Sequence, residues 1–283
     1  MTILIEQLRY VSLGASNIEN SSVFAGEILG LQASGDGTGL AYFRSDFRDF
    51  TLLFDASAEC DGVGFEVRDA ASLDLAASAI AGAGLRPISG TPADCAKYRA
   101  KAMIRFNDHS GNRIDILWRP VTTGWRFFGS RDRNMQGLQS VALRSTAIDR
   151  DEALWTSLFS ARVVDRVGDT VYLGMDKSHH RLALYPSTRP GVLSTSFEVK
   201  GIDDVMQASY DLPASQVRIV HGPGSEPVSG RLFVTFEGPD RHLFTLATAM
   251  ETPEPGRLPR QFPQEPGSYC GWGSETMIPE MQA

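Results

Sequence analysis

Five histidines are the side chains of this sequence that exchange protons near neutrality at their ordinary pKa, so their spacing limits the chemistry on offer. His179 and His180 stand side by side ahead of the apolar run Leu182-Ala183-Leu184. At a strand start, neighbouring side chains point to opposite faces, so the doublet reads as one inward and one outward imidazole. His109 falls in the turn Asp108-His109-Ser110-Gly111, His221 in a Gly/Pro-rich stretch, and His242 beside another turn; all three read as turn or surface residues. No two histidines have the spacing of metal ligands on a common face. Cys60, Cys95 and Cys270 are odd in number and lack a CxxC pair, which favours reduced thiols over a disulfide framework or a zinc ribbon. The glycines from Ser34 to Gly39 lack the preceding strand and following helix of a phosphate-binding loop. Asp115 is expected to pair with Arg113 or Arg105. Arg126, Arg131 and Arg133, interleaved with Trp125, Phe127 and Phe128, read as a solvated linker that packs its aromatics rather than as an anion site.

The elements that would position these residues come from a duplication. Leu8-Arg9-Tyr10-Val11-Ser12-Leu13 returns as Leu138-Gln139-Ser140-Val141-Ala142-Leu143, an offset of 130. Phe65-Glu66-Val67 returns as Phe197-Glu198-Val199, an offset of 132, and the segment from Asn107 to Asp115 returns as Glu237 to Thr245, an offset of 130. Repeated matches at one spacing are much harder to produce by accident than any single motif. Each half reads as strand, helix, then several strands. Asn17 can cap the first helix, which Gly30 stops, and an alanine-rich helix runs from Leu73 to Ala83. The predicted fold class is α+β, with two tandem βαβββ modules, each a half-open sheet cup flanked by helices. The modules fall at 1–120 and 137–250 around a linker at 121–136. A proline-rich tail at 251–283 is read as irregular structure packing back on the body.

Bulk properties bound the partners. With 42% apolar residues, each half can bury a core of its own. A net charge of −7 with no basic stripe argues against nucleic acid and anionic membranes as partners. The absence of a long apolar run and of a signal-peptide pattern predicts a cytoplasmic protein without a membrane partner. A homo-oligomer fits the pattern, but nothing in the sequence fixes it.

In architecture the chain resembles the vicinal oxygen chelate superfamily of glyoxalases, bleomycin-resistance proteins and type I extradiol ring-cleavage dioxygenases. The two-module length, the opening from Ile5 to Leu31 and the tail Ser268-Tyr269-Cys270-Gly271-Trp272-Gly273-Ser274 look most like the extradiol branch. That resemblance implies one iron or manganese in the second module, held by two histidines and a glutamate. Carried over, the ligand positions fall on Ser140, Ser194 and Thr245, which are uncharged hydroxyls. The equivalent positions of the first module are Tyr10, Gly62 and Asp115. The expectation is therefore no metal and no other cofactor. The resemblance further implies a general base at His180, with His179 as the less favoured of the doublet. The loop that the resemblance would have carry a supporting histidine and aspartate reads Gly222-Pro223-Gly224-Ser225-Glu226, and the place of an active-site tyrosine falls near Thr235.

Ser194 and Ser196 alternate onto one face, which with Ser140 and Thr245 predicts a roomy second cup rimmed with hydroxyls. Tyr269 in the tail is the remaining candidate for ligand contact. An enzyme acting without metal on a small aromatic or phenolic compound, of isomerase, lyase or dehydratase type, is the first functional reading. A non-catalytic binding or resistance protein is the alternative. A metal-dependent ring-cleavage dioxygenase with unrecognised ligands is the second.

Overall fold

A computed structural model describes residues 2–57 and 61–282; Cys60 lies outside them. The first half builds one sheet. Its elements are β1 (Ile5–Gly14), α1 (Ile18–Val23), β2 (Gln32–Gly37), β3 (Leu40–Arg44), β4 (Leu52–Asp55), β5 (Gly62–Val67), α2 (Ala70–Gly82), β6 (Ile88–Ser89), α3 (Pro92–Lys97), β7 (Ala100–Asn107) and β8 (Arg113–Pro120). The second half follows the same order without a counterpart of α3, with β9 (Met135–Ser145), α4 (Ile148–Leu158), β10 (Arg162–Val167), β11 (Thr170–Gly174), β12 (Leu182–Pro186), β13 (Gly191–Val199), α5 (Ile202–Ala214), β14 (Ile219–Ser225), β15 (Leu232–Glu237) and β16 (Leu243–Thr248).

Local chemistry explains the helix starts. The side chain of Asn17 accepts the backbone N–H of Asn20 and caps α1, as its residue type predicts. Asp69 does the same for α2 through Ser72. α3 was not anticipated, although its signal was present: Thr91 and Asp94 form a capping box with Pro92 at the first turn.

The two sheets are superimposable in order. The first runs β2-β3-β4-β1-β5-β8-β7-β6, and the second β14-β15-β16-β13-β9-β12-β11-β10 with one further strand, β17 (Arg260–Phe262), beyond β10. Within each sheet the central antiparallel pair joins two smaller βαβββ units, so each module is itself a doubled unit. The sequence repeats are register repeats. Leu8 faces Phe65 across β1 and β5, and Leu138 faces Phe197 across β9 and β13. Phe65 lies level with Ile116, and Phe197 with Leu246.

The tail departs from expectation. It adds β17 to the edge of the second sheet and then a short helical turn, α6 (Pro266–Tyr269), because its prolines fall outside the strand, at Pro259 and Pro263, and at the helix start. One apolar core runs through both halves. Trp155 of α4 is fully buried and packs on Phe65 of the first sheet at 4.9 Å between ring centroids. Phe24 beside α1 reaches Phe244 of the second sheet at 5.3 Å.

The linker follows its sequence reading in part: Phe127 packs against the core, but its other aromatics do not. Trp125 is 83% and Phe128 64% exposed, so neither packs inward. Arg131 and Arg133 both pair with Asp211, at 3.2 and 3.0 Å, which leaves no anion site there. Among the described residues no helix is long and apolar enough to cross a membrane.

Candidate functional site

Each sheet curls around a row of three residues at its centre. In the first cup the row is Tyr10, Gly64 and Asp115 on β1, β5 and β8. In the second it is Ser140, Ser196 and Thr245 on β9, β13 and β16. Ser194 lies on the same face two residues earlier and also borders the second cup. The alternation argument therefore placed these hydroxyls correctly on one surface.

The second cup is not roomy. Its remaining cavity is about 10 Å³, enough for one water at most. Three segments fill it. The turn between β14 and β15 brings in Glu226 and Arg231, and the end of the tail brings in Ile278 and Met281. β14 itself contributes His221. A much larger cavity, about 710 Å³, lies instead at the rim of the first cup, bordered by Gly62, Tyr98, Arg105 and Arg113 and by Pro190 and Val192 of the second half.

At the floor of the second cup, Arg231 Nη2 donates to Glu226 Oε1 at 2.9 Å and Nη1 to Ser196 Oγ at 3.3 Å. Ser229 donates a short hydrogen bond to the other Glu226 oxygen. Burial works most strongly against the guanidinium charge, but Glu226 with Tyr185 and Tyr172 together offset it, and Arg231 holds its proton more firmly than an ordinary arginine. Thr245 shares a hydrogen bond with Thr235 at 2.8 Å. Tyr269 is buried and bonds Thr170 at 3.3 Å and Gln264 at 3.0 Å, while its ring stacks on Tyr185. Tyr185 and Tyr172 join hydroxyls at 3.0 Å.

The histidine doublet overturns its sequence reading. His179 and His180 lie in the bend between β11 and β12 rather than on a strand, so alternation does not separate them. Their rings are perpendicular and their Nδ1 atoms are 2.9 Å apart. His179 Nε2 lies 2.8 Å from Asp165 Oδ2. Burial pushes the pKa of both histidines down, His180 much further, and Arg231 adds to the effect on His180.

Together these contacts fix the tautomers. Asp165 can only accept, so His179 carries its proton on Nε2; the neutral ring then accepts at Nδ1, and His180 must donate from its own Nδ1. The lone pair of His180 is left on Nε2, which has no hydrogen-bond partner among the described residues.

Asp165 is the anchor of this chain. Burial raises its pKa, but Arg257, Arg260 and His179 together hold it far below the usual carboxylate range. Arg257 grips it at 2.8 and 3.0 Å, and Arg260 at 2.6 Å. Glu251 joins Asp165 and His179 in a cluster whose ligand-type atoms lie within 4.8 Å of one another. Arg260 also bonds Glu251 at 2.7 Å, so two guanidinium groups already balance the two carboxylates.

The position inherited by resemblance is a different matter. Its hydroxyls supply no anionic or imidazole donor, and a buried guanidinium stands on Ser196 beside them, so these residues do not fit a divalent metal.

Other expectations resolve plainly. Asp115 is fully buried and takes Arg105 Nε at 2.7 Å, with Arg113 Nε at 3.6 Å and Tyr10 Oη at 2.7 Å. His221 is not a surface residue: it is buried against Phe233, and desolvation lowers its pKa to about 4. His242 turns out of the cup and bonds the Gly14 carbonyl at 2.8 Å. Cys95 and Cys270 are free thiols.

Sequence reasoning missed Glu226, Arg231 and Asp165. Glu226 and Arg231 bracket Pro227-Val228-Ser229-Gly230, which reads as an exposed turn, and only their opposite charges at five residues' spacing hint at a pair.

Comparison with known proteins agrees with this architecture. Residues 137–246 match the family model of the Glyoxalase/Bleomycin resistance protein/Dioxygenase superfamily. The chain is 24% identical over 224 residues to an iron-dependent extradiol dioxygenase of Rhodococcus jostii (strain RHA1), covering 71% of this chain and 75% of the relative. Among solved structures, the halotolerant catechol dioxygenase BphC superimposes with a TM-score of 0.89 at 19% identity, over 98% of this chain and 97% of that one. A Mn(II)-bound glyoxalase from Novosphingobium aromaticivorans gives a TM-score of 0.87 at 17% identity, over 99% and 95% of the two chains. With its doubled sheets, its register repeat and these superpositions, the chain has the two-module vicinal oxygen chelate fold, and its second module matches the glyoxalase/bleomycin resistance/dioxygenase family model.

Proposed function

We propose that this chain catalyses metal-independent proton transfer on a small aromatic or phenolic compound in its second cup, with His180 as general base. The observation that carries the reading is the line from Asp165 through His179 to His180, with contacts of 2.8 and 2.9 Å. It leaves His180 Nε2 as the unprotonated end of an oriented chain. Burial and Arg231 lower the pKa of His180, so the free ring is neutral and carries its lone pair, and the line to Asp165 is what would offset the charge it gains on taking a proton. When Nε2 takes a proton from a carbon or hydroxyl acid, the electron pair stays on the ligand as an enolate or phenolate. The positive charge on His180 is then opposed through His179 by Asp165. Ser140, Ser194, Ser196 and Thr245 border the place where the ligand's oxygens would be oriented, and Tyr269 would limit its ring. Isomerisation, lyase and dehydration reactions all need this base and orientation.

The test is deuterium exchange at the benzylic carbon of phenylpyruvate, followed by NMR in D₂O with chelator-treated protein. Exchange above the buffer rate that falls roughly a hundredfold or more in His180→Gln is expected, matching the usual contribution of a general base. Exchange unaffected by that substitution would sink the base assignment. It would leave the binding or resistance reading, in which the ligand is held without turnover.

A second reading rests on the Asp165–His179–Glu251 cluster, which has the residue types of a two-carboxylate, one-imidazole metal site. There a metal would supply redox chemistry for ring cleavage, provided Arg257 and Arg260 moved away from the carboxylates. Ring-cleavage activity lost on chelation and restored by Fe(II) or Mn(II) would favour it over proton transfer.

A further inference from the structure

The inherited metal position does not fit a metal, and beside it stands a cation of the protein's own. The Arg231 side chain is 9% exposed. It meets the floor at Ser196, which lies level with Ser140 and Thr245 on the neighbouring strands. Glu226 takes one of its nitrogens, Nη1 makes a single contact of 3.3 Å, and Nε has no partner among the described residues. A buried guanidinium with donors to spare, above a row of hydroxyls, suits a planar anionic group.

The other side of the cup is apolar: Phe233, Ile278 and Met281 close it. Two of these belong to the chain's last residues, which hold to the body through the Met277 N–H on the Val220 carbonyl at 2.8 Å and through Arg144–Glu280 at 2.6 Å. Just before them Gly271, Trp272, Gly273 and Glu275 are exposed.

We propose that Arg231 is the anion-gripping residue of the second cup, holding the carboxylate or phenolate oxygen of a small aromatic ligand whose ring takes the space now filled by Ile278 and Met281. This rests on the reading that the second cup is the working site, and it specifies the ligand: an apolar ring with one anionic edge. Glu226 sets the guanidinium in place from one side and leaves its remaining donors to the ligand. The end of the tail must move aside on binding, because about 10 Å³ admits no ring.

The experiment is calorimetric titration of the full chain with 4-hydroxybenzoate and with 4-hydroxybenzyl alcohol, its neutral counterpart. A variant with Ile278→Ala and Met281→Ala widens the cup without touching Arg231. It is expected to bind the anionic probe at least about tenfold more tightly than the parent chain and about tenfold more tightly than the alcohol. Adding Arg231→Met together with Glu226→Gln, which removes both charges and strands neither, should erase that preference. Equal affinity for the two probes in the widened cup overturns the proposal, as does a preference that survives the paired substitution. The first comparison stands even where the paired variant fails to fold. His180→Gln in the widened background separates the two readings. An Arg231-dependent preference with exchange indifferent to His180 overturns only the base. His180-dependent exchange with no anion preference overturns only the grip.

Discussion

The two cups share a frame and differ in what fills it. Both curl around a row of three residues on equivalent strands, Tyr10-Gly64-Asp115 in one and Ser140-Ser196-Thr245 in the other. In the first, large side chains belong to the row itself. Gly64 lacks a Cβ where the Tyr10 ring lies, Tyr10 stacks on Phe50 and Tyr98, and the Asp115 carboxylate is gripped from the rim by Arg105 and Arg113. In the second the row is small, and the charged group comes from a turn elsewhere in the chain. A small row leaves space that other segments must occupy, and here they bring a buried ion pair and His221, whose pKa burial depresses. The lesson is that one frame in a duplicated fold can be filled by residues of its own row or by segments from elsewhere in the chain, and here only the second brings an ion pair into the cup from a distant turn.

That contrast can be broken most forcefully at the buried pair. Glu226→Gln strands the Arg231 charge under the tail and is expected to cost about 3–5 kcal/mol in denaturant unfolding. Exchanging both residues for apolar ones of similar size should cost far less. If the single substitution proved mild, the second cup would be wetter than its geometry indicates.

Acidification should act next, and chiefly on the second cup. The His221 pKa falls from an ordinary 6.5 to about 4 on folding. The unfolded chain therefore binds the proton first, so stability is complete above pH 6.5 and is lost as pH falls towards 4. The loss is on the order of 3 kcal/mol. His221→Asn should flatten that part of the stability–pH curve, and an unchanged curve would place the acid sensitivity elsewhere.

In the first cup Asp115→Asn is expected to cost about 1–3 kcal/mol. Arg105 is 26% exposed on its side chain and can turn to water once released. A loss equal to that of Glu226→Gln would abolish the distinction between a rim-fed and a sealed charge. Smallest is Ser196→Ala, which removes one long contact to Arg231 and should cost about 0.5–1.5 kcal/mol, measured by the same unfolding curves.

Much of the fold was legible from the repeat. Residues matched at offsets of 130 and 132 are those that share register in the two sheets, because a strand's period of two allows no slip without exchanging its faces. The same rule put Ser194 and Ser196 on the face of the cup. It failed at His179 and His180, because it applies only to extended backbone and the doublet lies in a bend.

The sequence by itself determined the doubled sheets, the helix cap at Asn17, and the absence of metal-type donors at Ser140, Ser194 and Thr245. These depend on residue type and on periodicities of a few residues, which neighbouring positions suffice to express. Tertiary structure alone decided that Asp165 stands behind His179, that Arg231 enters the cup on Glu226, and that Ile278 and Met281 close it. Each joins segments far apart in the chain, and no local pattern encodes which distant side chain will occupy a space that small residues leave open.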